Sequence, residues 1–224
     1  VTDPISYNVV PYGENDDAKS LRFFLKNIFD HNDFKDGQVR IIANALSLRH
    51  TIGLLPTSGG KSLCYQLVSL LQPAISFVVC PIKSLMYDQE YNLKKVLIDR
   101  TAYITGEQKP GEKNKVAADF AKGRYLWIWI SPERMQSQDF RDELTTLNQN
   151  LNISYAIIDE VHCLSEWGHD FRTSYLNLSK TIGKYLPAST YLGLTATASL
   201  NVLKDIKNEF GINDEDVKTL TEYS

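Results

Sequence analysis

The residues of this chain whose types and spacing could do chemistry begin at Pro56, where the sequence reads PTSGGKS. This segment follows the apolar run TIGLL and precedes SLCYQLVSLL, whose apolar residues recur at helical spacing. A loop between a strand and a helix can hold phosphate, because its N–H groups and the helix N-terminus carry partial positive charge. In such a site Lys61 would reach the β- and γ-phosphates, and the Ser62 hydroxyl would ligate Mg²⁺.

The same loop departs from the usual nucleotide-binding pattern. That pattern is G-x-x-x-x-G-K-[ST], and Leu55 stands where its first glycine would fall. A glycine-rich turn with a solvated lysine is therefore an alternative for this segment taken alone. If the loop binds a nucleotide, we expect its contacts to come from Thr57, Ser58, Gly59 and Gly60 together with Lys61 and Ser62.

A second group of chemically capable residues is the acidic pair Asp159-Glu160, which ends the apolar run SYAII. Asp159 is placed to hold Mg²⁺ through water, and Glu160 could orient or deprotonate an attacking water molecule. An acidic pair that caps the next helix is the alternative. It would explain one carboxylate, but not why an apolar strand delivers both.

His162 follows this pair and could be a metal ligand together with Cys163 and His169. Their spacing fits no zinc pattern, and only one cysteine lies nearby. We therefore interpret His162 as a polar link between the nucleotide site and its neighbours.

The elements that must position these residues are short apolar segments alternating with helical patterns. Apolar stripes predict helices over residues 16–29, 38–47 and 199–210, the last stopped by Gly211. The predicted strands are residues 51–55, 76–80, 102–105, 125–130, 154–159 and 190–195. Apolar runs without alternation are typical of parallel strands buried on both faces, so we predict an α/β fold with a mainly parallel sheet sandwiched by helices. In such folds ligands bind at the carboxyl ends of the strands, where both groups of residues fall.

Composition limits the class of protein. The 224 residues are 43% hydrophobic, enough for a real core, and 24 basic against 27 acidic side chains give a net charge of −3. This charge indicates no global basic field, although a local groove can still bind nucleic acid. Three widely spaced cysteines without a C-x-x-C pair argue against a disulfide framework and structural zinc. The same cysteine usage indicates a reducing, intracellular setting, in the cytoplasm or nucleoid of a bacterium or the nucleus of a eukaryote. The apolar runs are too short to span a bilayer, so we expect no membrane partner.

Five stretches together resemble one family, the RecQ-type DNA helicases of helicase superfamily two. These stretches are PTSGGKSLCYQ (56–66), CPIKSLMYDQ (80–89), ISPER (130–134), IIDEVHCLSEWGHDFRTSY (157–175) and LTATAS (194–199). The resemblance implies a RecA-like P-loop domain that uses ATP and Mg²⁺. Under it, Lys61 and Ser62 match the phosphate-loop positions, and Asp159 and Glu160 match the Mg²⁺-binding and hydrolytic pair.

The resemblance also assigns an adenine-recognising segment, FKDGQ at residues 34–38. Gln38 would bond both edges of adenine, since an amide carries a donor and an acceptor. Lys35 stands where the family usually has arginine, and Ser58 stands where it usually has glycine.

The resemblance further implies contacts with DNA. The block SEWGHDFR is similar to an aromatic-rich loop that senses single-stranded DNA and signals to the ATP site; as isolated residues, Trp167 and Phe171 could instead be core side chains. The residues that the resemblance places in DNA binding or coupling are Ser84, Asp88, Gln89, Ser131, Arg134, His162, Trp167, His169, Phe171, Arg172, Thr195 and Thr197.

Domain organisation follows from the same resemblance. We expect residues 1–33 to form an extension with a helix and residues 34–224 to form the first RecA-like domain of a longer protein. In the complete protein this domain would work with a second RecA-like domain to unwind DNA in the 3′-to-5′ direction. An arginine from a partner domain contributes on the order of 10³–10⁵ in rate in related enzymes, so we expect the chain alone to bind nucleotide weakly and hydrolyse it slowly. Another superfamily-two translocase and a nucleotide-deficient binding module remain alternatives.

Overall fold

The structure, a computed structural model, describes residues 4–5, 16–167 and 172–219, with residues 16–18 and 150 described in their backbone only. The helices within these ranges are α1 Asp16–Phe29, α2 Gln38–Leu46, α3 Lys61–Leu71, α4 Lys83–Lys95, α5 Pro110–Ala121, α6 Pro132–Met135, α7 Gln138–Asn150, α8 Leu178–Tyr185 and α9 Leu200–Phe210. The strands are β1 Thr51–Leu54, β2 Ile75–Val79, β3 Thr101–Ile104, β4 Trp127–Ile130, β5 Ile153–Asp159, β6 Thr190–Thr195 and β7 Val217–Thr219.

The strands form one sheet in the order β3-β4-β2-β5-β6-β1-β7, and every pairing in it is parallel. The predicted α/β class with a mainly parallel sheet is confirmed. All six predicted strands are present, with bounds that differ by at most two residues. The edge strand β7 was not anticipated, because its three half-buried residues carry no apolar run.

Both faces of the sheet are covered, which explains why its strands are apolar without alternation. Along β2, Phe77 and Val79 pack into one hydrophobic cluster with α5, α7, α8 and α9, whereas Val78 packs into a second cluster with α1 to α4. Successive side chains of a strand point to opposite faces, so two covered faces favour apolar residues at most positions. The buried exceptions Ser76 and Ser154 pair their hydroxyl groups at 3.2 Å.

The strand order decides which strand ends become neighbours. Strand β6 lies between β1 and β5, and β2 flanks β5 on the other side. The phosphate-loop candidate after β1 and the acidic pair after β5 therefore lie on either side of the end of β6. This arrangement places Thr195 between the two groups of residues that the sequence singles out.

Helix termini follow from local sequence. Helix α9 begins after Ser199, whose hydroxyl accepts a hydrogen bond from the Val202 N–H at 3.4 Å. It ends at Gly211 with φ of 62°, a left-handed conformation that glycine adopts at little cost, which confirms the predicted stop. At the other end of the chain, Leu21 of α1 packs into the same cluster as α2 and α3. Among the described residues, no helix is both long and apolar enough to cross a membrane.

Candidate active site

The phosphate-loop candidate forms a tight turn between β1 and α3. Residues Thr57–Gly59 make one 3₁₀ turn, and Gly60 then adopts φ of 71° immediately before α3 begins at Lys61. The positive φ favours glycine here, and a Cβ atom on Gly60 would stand 2.6 Å from the side-chain nitrogen of Gln38, which would have to shift. Ser58 lies inside the 3₁₀ turn and outside the positive-φ region, where serine fits as well as glycine does.

Lys61 lies at the start of α3 and reaches the acidic pair. Its Nζ atom is 3.1 Å from Oε1 of Glu160, and its side chain is almost entirely buried. The strand–loop–helix unit after β1 and the carboxyl end of β5 therefore converge on one point. An opposite charge inside the fold is what a buried ammonium group requires.

Asp159 is the last residue of β5 and is only 3% exposed. Burial, followed by the charge of Glu160, raises the pKa of its carboxyl to about 6, although Lys61 acts in the opposite direction. Its Oδ1 atom accepts the Glu160 N–H at 3.0 Å, and its carbonyl oxygen accepts the Tyr175 hydroxyl at 2.9 Å. The fold thus keeps a carboxylate in a place where its negative charge is costly.

Glu160 has the opposite electrostatic balance. Burial alone would raise its pKa, but the hydrogen bond from His162 and the charge of Lys61 outweigh that effect and lower it. Its backbone is left-handed, with φ of 49° and ψ of 47°, which costs a non-glycine residue roughly 1–2 kcal/mol. Strain of this kind is tolerated where surrounding contacts fix the residue, and here it directs the carboxylate towards Lys61 and His162.

His162 joins the acidic pair to the end of β6. Its Nδ1 atom lies 3.3 Å from Oε2 of Glu160 and 2.8 Å from the hydroxyl of Thr195. The Thr195 hydroxyl in turn donates to the carbonyl oxygen of Thr197 at 3.0 Å. The interpretation of His162 as a polar link between the nucleotide site and its neighbours agrees with these contacts. Among the described residues, no three His, Cys, Asp or Glu side chains are grouped as a metal site.

The predicted adenine segment packs against the phosphate loop. The side-chain nitrogen of Gln38 donates to the carbonyl oxygens of Gly59 and Gly60 at 3.1 and 3.0 Å, and its Oε1 atom accepts the Lys35 N–H at 2.7 Å. The Lys35 ammonium donates to the carbonyl oxygen of Ser58 at 2.5 Å. Both side chains therefore border the loop, and in this arrangement they brace it.

The Ser62 hydroxyl has a partner that sequence reasoning assigned to DNA. Gln89 of α4 donates to Ser62 Oγ at 2.9 Å, and Gln66 of α3 donates to Gln89 Oε1 at 2.6 Å. Gln66 was not anticipated as a site residue. The sequence did contain a signal for Gln66: it lies four residues after Ser62, and residues four apart on a helix share a face.

The remaining residues expected to contact DNA divide by exposure. Ser84 and Asp88 are exposed on α4, and Trp167 is exposed over 71% of its surface, so it is not the core residue that its type alone would favour. Thr57 is also exposed, at the mouth of the phosphate loop. These side chains stand where a ligand in solution could reach them.

Other predicted DNA contacts point into the protein. Ser131 is buried, and the Arg134 guanidinium lies 3.8 Å from the Glu143 carboxylate of α7 and over the ring of Phe140. Arg172 donates to the carbonyl oxygen of Pro81 at 3.3 Å. His169 and Phe171 lie outside the described residues.

The donor set fits a magnesium ion with nucleotide phosphates. A serine hydroxyl and a carboxylate are hard oxygen ligands of the kind that Mg²⁺ takes beside phosphate groups. The raised pKa of Asp159 shows a buried carboxyl whose charge a divalent cation would offset. Ser62 and Asp159 are the residues that would hold the ion, with Lys61 facing the phosphates.

This geometry agrees with the comparison to protein families. Residues 35–206 match the family model described as DEAD/DEAH box helicase, which covers most of the chain. The chain belongs to the DEAD/DEAH box helicase family. The fold agrees as well: the helicase domain of Hef from Pyrococcus furiosus superimposes with a TM-score of 0.62 at 18% identity, over 86% of this chain and 39% of that one. The expected RecA-like fold is confirmed.

Curated relatives narrow the branch of this helicase family. The chain is 40% identical over 188 residues to the probable ATP-dependent DNA helicase RecS of Bacillus subtilis, covering 84% of this chain and 36% of the relative. It is 36% identical over 185 residues to the ATP-dependent DNA helicase Q1 of Mus musculus, covering 82% and 28%. The resemblance to RecQ-type helicases is confirmed, and the chain spans about a third of the length of these relatives.

Proposed function

We propose that this chain is the ATP-binding motor domain of a RecQ-like DNA helicase. In the complete protein it would couple ATP hydrolysis to 3′-to-5′ unwinding of DNA. The observation that carries the proposal is the meeting of Lys61 and Glu160 at 3.1 Å, beside the buried carboxylate of Asp159. The names of the curated relatives, both ATP-dependent DNA helicases, support the choice of substrates.

The division of work among the residues follows from their contacts. Lys61 would exchange Glu160 for the β- and γ-phosphates, because both partners are anionic and the phosphates carry more charge. That exchange frees the Glu160 carboxylate to accept a proton from the attacking water. Its lowered pKa keeps it ionised at neutral pH, as a base must be. Mg²⁺, held by Ser62 and Asp159, would supply neutralisation of phosphate charge.

Coupling to DNA would run through the end of β6. Glu160, His162 and Thr195 form a continuous chain of polar contacts, and Thr197 extends it towards α9. We propose that residues 34–224 form the first RecA-like domain, with 1–33 as its extension, and that a second RecA-like domain of the complete protein docks at this edge. Ser84, Asp88 and Trp167 would face the DNA, and the resemblance assigns His169 and Phe171 to the same contact.

A binding experiment tests the nucleotide site. A fluorescent ATP analogue is titrated into the chain in the presence of Mg²⁺, alongside Lys61→Ala and the control Lys180→Ala on the exposed face of α8. We expect saturable binding by the unmodified chain and the control, and none by Lys61→Ala. Flat titrations for all three proteins would favour a nucleotide-deficient binding module instead.

A second experiment tests the motor function in the complete protein. Forked duplexes with a single-stranded 3′ or 5′ tail are incubated with ATP, and the displaced strand is measured. We expect displacement from the 3′-tailed substrate that requires Lys61. DNA-stimulated hydrolysis without strand displacement would instead indicate a translocase that does not unwind.

A further inference from the structure

Helix α4 presents two different faces, and Gln89 lies on the inner one. Met86 and Leu93, three residues before and four after Gln89, are both buried in the hydrophobic cluster beneath the helix. Ser84 and Asp88 are exposed and lie four residues apart on the outer face. Gln89 is therefore directed away from the surface on which Ser84 and Asp88 could meet DNA.

The amide of Gln89 bridges one turn of α3. Its nitrogen donates to Ser62 Oγ at 2.9 Å, and its oxygen accepts the side-chain nitrogen of Gln66 at 2.6 Å. Ser62 and Gln66 are separated by one helical turn, so a single amide of α4 contacts both. Gln66 is only 7% exposed, and a buried amide is costly unless it is hydrogen-bonded, which holds the pair together.

The bond to Ser62 is compatible with a cation on the same hydroxyl. A serine hydroxyl has one proton to donate and two acceptor positions. The N–H of Gln89 uses one acceptor position, and the Tyr65 hydroxyl also lies within hydrogen-bonding reach of Ser62. When a metal ion takes an acceptor position of Ser62, Tyr65 must give up any hydrogen bond that it donates there. The bond from Gln89 therefore restricts the directions in which the Ser62 oxygen can face a metal ion.

We propose, resting on the function proposed above, that Gln89 is a positioning residue for the Mg²⁺-binding hydroxyl of Ser62. Gln66 holds the Gln89 amide in the required orientation. Because Gln89 is part of α4, a displacement of that helix changes the orientation of Ser62 and hence the affinity for Mg²⁺. Ser84 and Asp88 lie on the same helix, so DNA that contacts its outer face would act on the metal site through this amide pair.

The test separates metal positioning from nucleotide binding. A fluorescent ADP analogue is titrated into the chain at a series of Mg²⁺ concentrations and again in EDTA. The variant is Gln89→Met, which keeps the length of the side chain and removes both hydrogen bonds. Asn92→Ala removes an exposed amide from the same helix and serves as the matched control, and Gln66→Met removes the supporting contact.

We expect Gln89→Met to raise the Mg²⁺ concentration at half-maximal binding about tenfold, since the loss of a group that orients a metal ligand typically costs 10- to 100-fold in metal affinity. The affinity of Gln89→Met for the ADP analogue in EDTA should stay unchanged. For Asn92→Ala, neither the Mg²⁺ concentration at half-maximal binding nor the affinity in EDTA should change. Gln66→Met should also raise the Mg²⁺ concentration at half-maximal binding. This variant carries the test if Gln89→Met fails to fold.

Three outcomes would overturn the inference. If Gln89→Met and the unmodified chain need the same Mg²⁺ concentration for half-maximal binding, Ser62 is oriented without the help of Gln89. An equal loss of affinity with Mg²⁺ and in EDTA would indicate a merely structural role. Absence of analogue binding by the unmodified chain would refute the proposed nucleotide site itself, and the positioning role with it.

Discussion

Replacement of Asp159 by asparagine should stabilise the protein in the absence of nucleotide. The buried carboxyl has a pKa of about 6 against an ordinary value of 3.8, so the fold disfavours its ionised form. Asparagine has nearly the same shape and keeps an oxygen that can accept the Glu160 N–H, now bonded at 3.0 Å. The substitution therefore removes a buried negative charge without opening a cavity.

The size and sign of this effect follow from the raised pKa. A group whose pKa is raised in the folded state contributes stability below its unfolded pKa, and that contribution is lost as pH rises through the folded pKa. From 3.8 to about 6, at 1.36 kcal/mol per unit, ionised Asp159 costs the fold about 3 kcal/mol above pH 6. The stability of Asp159→Asn should equal that of the unmodified protein near pH 4. The stability difference should grow up to about pH 6 and stay constant at higher pH.

The assay is thermal unfolding between pH 4 and 8 without nucleotide or divalent ions, followed by tryptophan fluorescence. A gain of about 3 kcal/mol in a domain of this size raises the melting temperature by roughly 6–12 °C. Asp99→Asn, which removes an exposed carboxylate, is the control and should change little. In the presence of Mg²⁺ and nucleotide the order should reverse, because the stabilised variant has lost a metal ligand.

Two results would refute this reasoning. One is a melting temperature for Asp159→Asn at pH 8 that is equal to or below that of the unmodified protein. The other is a stabilisation of equal size at pH 4 and pH 8, which would mean that the gain does not come from the charge of the carboxylate.

Two further substitutions test the geometry of the site. Gly60→Ala forces alanine to φ of 71° and places a methyl group 2.6 Å from the Gln38 amide, so thermal unfolding should show a loss of about 1–2 kcal/mol in the free energy of unfolding. Gly111→Ala, in open space near the start of α5, should not destabilise the protein. Equal melting temperatures for the two variants would contradict this expectation. Thr195→Val removes the hydroxyl that is hydrogen-bonded to His162. The free energy of unfolding, measured in urea, should fall by about 1–3 kcal/mol, and nucleotide affinity should change little. An unchanged unfolding midpoint would show that the hydrogen bond between Thr195 and His162 is dispensable for stability.

Much of the fold and the centre of the site could be predicted from the sequence. Each central strand is mostly apolar, because a strand buried on both faces admits a polar residue only where that residue finds a hydrogen-bond partner, as Ser76 and Ser154 do. Asp159 ends one such run, and Lys61 follows another after the phosphate-loop segment, so local sequence places both near the carboxyl ends of strands. The same holds for the stop of α9 at Gly211, which needs nothing more than a left-handed residue.

What only the tertiary structure decided is which of these residues meet. The order of the strands puts β6 between β1 and β5, and this order alone brings Thr195 to His162. Likewise, the packing of α4 turns Gln89 inward to Ser62, although its neighbour Asp88 remains exposed. Local sequence sets the conformation of each segment through short-range sterics and hydrophobic periodicity. Contacts between segments distant in the chain depend on how the layers pack, and no single segment encodes that packing.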